Sequence, residues 1–353
     1  MKNKKILIVA PYQFGELSDC YYWAKYAVED GWNVTYLGYR YNQRKMKERK
    51  CKGVKVVSVY HFNNRILLGI CFFAKLIFEI IFHNHNNIIV CKFPHVEKLV
   101  RIFPKRRIIL DIRTLSVSSN DQERKTADDN TRRVALHFSK CSVISEGVKN
   151  KLNIDATVLP LGAECISNTS KDFSSLKLFY IGTFDNRKLS IFLQGLSLFN
   201  KAYSIPFTFD IVGGGNKTEE ESIKSIIQSE GLNNVTLHGV LTHDEAKKFF
   251  DECNVGVCYV PMTEYYEHQP PTKLYEYLLS GMVCIATNTT SNKQVMTKDL
   301  GVLINDDAQS VCDGLYKLFL HRTEYSSKYI LEVTKKYHWK QIVKNSFIKL
   351  LKK

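Results

Sequence analysis

The sequence predicts an α/β chain built as two doubly wound parallel-sheet units, and three observations carry that expectation. Its 353 residues exceed what one ordinary core accommodates, so two domains are expected, each burying its own apolar interior. Short apolar runs alternate with helical patterns, as in parallel sheets covered by helices on both faces. The alternation breaks once, over the polar stretch 165–175, and then restarts.

In the first half KILIVA, NVTYLG, VKVVSV, NIIVC, RRIILDI, CSVIS and TVLP read as strands, with helical patterns over residues 19–30 and 66–82. The opening MKNKKILIVAPYQFG is basic, but its apolar run stops at Pro11. That is too short for a secretory core, so it reads as a first strand and the expected location is cytoplasmic. The second half repeats the pattern with LKLFYIG, FTFDIVGGG, NVTLHG, NVGVCYV, MVCIAT and GVLI. Two such units facing each other leave a cleft at the carboxyl ends of both sheets, the expected ligand position.

The ten cysteines are scattered and form no C-x-x-C pair, which argues against disulfides or zinc. Charge is uneven: residues 1–170 hold 28 Lys/Arg against 15 Asp/Glu, and the remainder 22 against 20. A basic half suits an anionic membrane, nucleic acid or phosphate-bearing substrates, or simply a solvated surface. No regular spacing of stacking aromatics favours single-stranded nucleic acid, so no nucleic-acid partner is expected. The stretch 66–82, ILLGICFFAKLIFEIIF, is short for a span and carries Lys75 and Glu79. It reads as a helix against the first sheet, or as an apolar face docking at an anionic bilayer beside Lys45, Lys47, Arg49, Lys50, Lys52 and Arg65.

The motif with most chemical content is PPTKLYEYLLSG, residues 270–281. The proline pair ends whatever precedes it, so a helix starts at Thr272 or Lys273 with unpaired N–H groups outward, an end that attracts phosphate. Lys273 supplies a point charge to a diphosphate, and Glu276, one turn in, accepts hydrogen bonds from sugar hydroxyls. A capped amphipathic helix with Lys and Glu three apart is the bland alternative. Three further loops follow strands of the same sheet: Gly182-Thr183 leading to Arg187 and Lys188, Gly213-Gly214-Gly215, and His238-Gly239-Val240. Singly each is a turn; jointly, on one rim, they suggest a nucleotide diphosphate site.

GTFDNRK, DIVGGG, NVTLHGVLTHDEAKKFFDECNVGVCYVP and PPTKLYEYLLSG, in this order and spacing, resemble the donor half of retaining GT-B glycosyltransferases of the family 4 or "group 1" type. CSVISEGVKNKL with VLPLGAE is similar to the close of that family's N-terminal domain, and HWKQIVKNSFIKLL to its helix that crosses back. The resemblance implies an acceptor domain over 1–168, a nucleotide-sugar donor domain over 169–335 and a returning helix over 336–353. It aligns Glu276 with the second glutamate of E-x7-E, which grips the donor ribose, and Lys188, with Arg187, with the cations that neutralise the diphosphate. The first glutamate falls on His268, with Glu267 adjacent, and the usual arginine after the strand glycine is Thr183. Arg113, in Asp111-Ile112-Arg113, stands near the family's reaction centre, and Gly15 in the loop that approaches phosphates or acceptor.

The implied reaction moves a sugar, hexosyl in type, from a nucleotide diphosphate to an acceptor hydroxyl with retention. A saccharide or lipid-linked saccharide acceptor in bacterial surface polysaccharide synthesis fits the basic first half. With Arg187, Lys188, Lys273 and a helix N-terminus on the leaving group, no metal or other cofactor is expected. Competing readings are a sugar-nucleotide epimerase, a non-catalytic nucleotide-sugar-binding partner subunit, and a nucleic-acid-binding protein.

Overall fold

A computed structural model describes residues 4–41 and 49–352, so Lys45 and Lys47 lie outside the described residues. The chain divides into two compact units, one of Met1–Leu161 with Trp339–Lys353, the other of Gly162–His338. Among the described residues the first holds seven strands: β1 Lys5–Gln13, β2 Asn33–Arg40, β3 Val54–Tyr60, β4 Asn87–Cys91, β5 Ile108–Ile112, β6 Cys141–Val143 and β7 Thr157–Val158. They form one sheet in the order β3-β2-β1-β4-β5-β6-β7, with every pair parallel. Helices α1 Ser18–Glu29, α2 Arg65–Phe82, α3 Lys98–Ile102, α4 Asp121–Ala135 and α5 Glu146–Leu152 connect them.

The second unit repeats the plan with β8 Leu176–Ile181, β9 Phe207–Val212, β10 Val235–Gly239, β11 Val255–Cys258, β12 Val283–Thr287 and β13 Gly301–Ile304. Its order is β10-β9-β8-β11-β12-β13, again all parallel. Its helices are α6 Leu189–Tyr203, α7 Lys217–Ser229, α8 His243–Glu252, α9 Thr272–Leu279, α10 Thr290–Lys293, α11 Ala308–Leu320 and α12 Ser327–Thr334. The central strands β4, β5, β11 and β12 are buried along their whole length, which is why they read as unbroken apolar runs.

The polar stretch 165–175 belongs to the second unit and is tied down there. The Lys171 ammonium donates to the carbonyls of Phe250 and Asp251 and to Ser167 Oγ. The segment Trp339–Lys352 returns to α1: Trp339 stacks on Tyr22 at 5.6 Å and Phe347 on Trp23 at 5.0 Å. Lys340 pairs with Glu29 at 3.0 Å, and Arg107 Nη2 donates to Leu350 O at 2.6 Å. Helix α2 presses Leu68, Phe72, Leu76 and Ile80 onto the first unit but leaves its opposite apolar face open.

Candidate active site

In the second unit β8 and β11 are neighbours whose connections leave in opposite directions, so the crevice beyond their carboxyl ends is the topological switch point. The rim there is made of backbone. Gly182 N–H donates to Val212 O (3.1 Å), Gly213 N–H to Gly239 O (2.8 Å) and Phe184 N–H to Gly214 O (2.9 Å). These bonds bring the loops after β8, β9 and β10 into one surface. Gly213 has φ +146°, and a Cβ there would stand 1.8 Å from Gly182 O, so no other residue fits. Gly214 faces Val240, whose side chain is exposed.

Helix α9 starts after Pro271, leaving the N–H groups of Thr272 and Lys273 without helical acceptors. Lys273 is buried, and its Nζ lies 3.7 Å from the Tyr180 ring centroid. The same Nζ would be 3.7 Å from a Cβ at Gly182, so the ammonium points at the glycine loop. Among the described residues neither this ammonium nor the Glu276 carboxylate has a hydrogen-bond partner.

Arg187 completes the set. Asp185 accepts from Asn216 N (2.7 Å) and Nδ2 (2.9 Å), fastening the β8–α6 loop to the start of α7. Asn186 and Lys188 then both adopt left-handed backbone, φ +56° and +50°, which costs a non-glycine residue on the order of 1–2 kcal/mol each. The result turns Arg187 over the Tyr266 ring at 4.4 Å, with Nη1 buried and unpartnered. Lys188 is left at the exposed entry of α6. The structure thus turns Arg187 inward, half-buried, where the sequence favours Lys188.

Burial drives the titration of this cluster. Desolvation pushes Lys273 down to about 7, with Cys258 and Glu276 opposing and Arg187 adding repulsion. It pushes Glu276 up to about 7 against the pull of Lys273. A bound diphosphate favours charged Lys273 and so raises its pKa above that of the free protein. That contribution to affinity is complete below about pH 7 and is lost as pH rises through the bound-state pKa, so a nucleoside diphosphate is expected to bind more weakly at pH 9 than at pH 7. Titration calorimetry in buffers of different ionisation enthalpy should show proton uptake on binding above pH 7; pH-independent affinity with no uptake would contradict it.

Other expected residues are placed differently. His238 Nε2 lies 2.6 Å from Asp210 Oδ1, with its ring 4.5 Å from Phe249, so residues 238–240 offer backbone and not an imidazole. Glu267 accepts from Thr290 N (2.9 Å) and Thr290 Oγ1 (2.7 Å), while Ser291 N–H donates to its carbonyl at 2.9 Å. Its carboxylate caps α10 and anchors the loop, which leaves half-buried His268 as the side chain of that pair nearer to α9 in sequence. Thr183 is exposed, its carbonyl held by Tyr180 Oη at 2.7 Å. The rings of Tyr180 and Tyr266, on which the two cations lie, carry no signal in the sequence that marks them for the site.

In the first unit Gly15 follows β1 at φ +92°, and a Cβ there would strike the Arg49 side chain at 2.5 Å. Arg49 lies over Tyr21 at 5.0 Å. Arg113 is spent internally: Nη2 donates to Asp19, Nη1 to Leu159 O at 2.6 Å, and Nε lies 3.9 Å from Asp111. Asp111 also accepts from Ser142 Oγ at 2.6 Å, and burial pushes its carboxyl up to about 6. Two carboxylates and a carbonyl thus surround Arg113, which sits at the centre of an ion-pair cluster in this unit.

Two Rossmann-like parallel sheets, the second with an anion-compatible rim at its switch point, define the class: this is a GT-B fold. Residues 175–321, all in the second unit, match the family model described as glycosyl transferases group 1. The whole chain is similar in structure to a sucrose-phosphate synthase from Thermosynechococcus elongatus, at 14% identity over 98% of both chains and a TM-score of 0.75. A glycosyltransferase from Rickettsia africae gives 13%, 100% of this chain, 99% of that one and 0.76. Anabaena HepE, solved in complex with UDP and glucose, gives 13%, 99%, 100% and 0.72. Comparison with curated protein sequences gives no match.

Proposed function

We propose that this protein transfers a hexosyl group from a nucleotide-diphosphate sugar to an acceptor hydroxyl with retention of anomeric configuration. The observation that carries the reading is buried Lys273 and half-buried Arg187, two cations with no salt bridge among the described residues, set beside a glycine rim and the open N-terminus of α9. Departure of a diphosphate from an oxocarbenium-like centre leaves negative charge there, and preorganised cations stabilise it most where water is excluded. Lys273 and Arg187 hold the leaving diphosphate, Glu276 accepts from the donor ribose, and His268 lies toward the donor sugar. The residues 238–240 pass the base along backbone groups.

The acceptor we assign is a saccharide, lipid-linked, in the assembly of a bacterial surface polysaccharide at the inner face of the cytoplasmic membrane. The excess of Lys and Arg in the first 170 residues supports an anionic acceptor and surface. Among the described residues no helix is long and apolar enough to cross a membrane. The cations already present on the leaving group make a divalent metal redundant, so turnover should survive chelation; activity lost in chelator and restored by manganese would contradict this. The reading itself is tested by incubating the protein with nucleotide sugars and lipid-linked saccharides and determining the product anomer by NMR. A product with the donor's anomeric configuration supports it; epimerised donor, or binding with no transfer to any acceptor, overturns it.

A further inference from the structure

Helix α2 is apolar on nearly every side, which in a water-soluble unit normally means burial all round. Here one side packs inward through Leu68, Phe72, Leu76 and Ile80, while Ile66 (79% exposed), Ile70 (60%), Phe78, Ile81 and Phe82 (68%) remain open. At 100° per residue these open positions fall on one arc of roughly 160° that runs the length of the helix, about 27 Å. Contiguous apolar surface of this extent marks an interaction site.

Charge identifies the occupant. Arg65 opens the helix and is exposed, and Lys75 holds its Nζ 5.4 Å from the Phe78 ring, a long stem lying along apolar surface with its charge at the edge. Arg106 donates to Ile80 O (3.4 Å) and Asn84 Oδ1 (3.0 Å), which ties exposed Arg101, Ile102 and Lys105 to the C-terminal end of α2. The acid of the helix, Glu79, is buried and turned away, 3.1 Å from His83 Nδ1 and 3.9 Å from Lys55 Nζ. An open apolar arc rimmed by cations repels a second copy of itself and matches an anionic lipid headgroup layer. With 18 residues and three ionisable groups the helix lies in such an interface and does not span it.

We infer that α2 docks the first unit on an anionic bilayer, its Ile66–Phe82 arc inserted at the acyl boundary and the cations of residues 65, 75, 101 and 105 at the headgroups. The inference adds a surface to the reading of a membrane-bound acceptor, yet it is read by binding alone. The full chain, without donor or acceptor, is sedimented with vesicles of phosphatidylglycerol and phosphatidylcholine and with phosphatidylcholine alone. The wild type is expected to bind the acidic vesicles, and Ile70→Glu/Phe82→Glu at least about tenfold more weakly, since binding scales with inserted apolar area. The substitutions are at exposed positions, so thermal melting should be unchanged. An Ile81→Trp reporter should shift its emission to the blue on acidic vesicles. Equal binding by wild type and the double variant, or no binding by the wild type, overturns the inference. So does a wild-type dimer that the double variant dissociates, which would make a second copy the occupant. Transfer to a soluble acceptor that persists in the double variant would leave the glycosyltransferase reading standing whichever way the vesicles report.

Discussion

Lys273→Ala should lower turnover by about 10²–10³-fold, equivalent to about 2.7–4 kcal/mol, the usual cost of losing one preorganised charge stabiliser. The magnitude follows from position. Lys273 is buried against Tyr180, points at the Gly182 loop and has no acid bonded to it, so its charge is left for a ligand. Because an unpaired buried ammonium costs desolvation energy, removing it should leave the melting temperature of the ligand-free protein unchanged or raise it. The loss should fall mainly on kcat, since the charge on the diphosphate oxygens grows as the glycosidic bond breaks. Lys188→Ala serves as the comparison: its exposed ammonium at the entry of α6 is screened by solvent, and less than about a tenfold effect is expected. Wild-type turnover in Lys273→Ala, or a larger loss in Lys188→Ala, would reverse the assignment of the two cations.

Glu276→Ala should act on binding. A carboxylate accepting from ribose hydroxyls contributes about 1.5–3 kcal/mol, which corresponds to roughly a 10- to 150-fold rise in donor KM, with kcat changed much less. Glu276→Gln keeps an acceptor but loses the charge, and its KM should fall between the two. Burial holds Glu276 near neutrality without ligand, so the alanine variant should also lose some of the pH dependence of donor binding on the acid side of pH 7. An unchanged KM for the donor in both variants would remove Glu276 from the site.

The fold was legible because both sheets announce themselves by unbroken apolar runs such as NIIVC and VCIAT, and the order of those runs leaves few parallel topologies. The rim was legible for a related reason: glycines at the ends of β8 and β9 are required by backbone geometry, and Gly213 tolerates nothing else. What the sequence could not show were choices made by long-range pairing. Arg187 and Lys188 are adjacent letters, and only the left-handed backbone at residues 186 and 188 decides which one turns inward. Arg113 looks available until Asp19, 94 positions away, is placed against it. His238 and Glu267 are likewise claimed by Asp210 and Thr290. For α2, an all-apolar pattern carries no periodicity to distinguish its buried face from its open one, so exposure had to come from the packing.

In the proposed reaction the second unit holds a diphosphate between Lys273, Arg187 and the start of α9. Thermal-shift measurement of the intact wild type and of Lys273→Ala against a panel of nucleoside diphosphates and their sugars tests it most directly, because a ligand that binds only the folded state raises its melting temperature by mass action. A clear upward shift with one nucleoside diphosphate is expected in the wild type and a much smaller shift in the variant. No shift with any member of the panel, or equal shifts in both proteins, would contradict it.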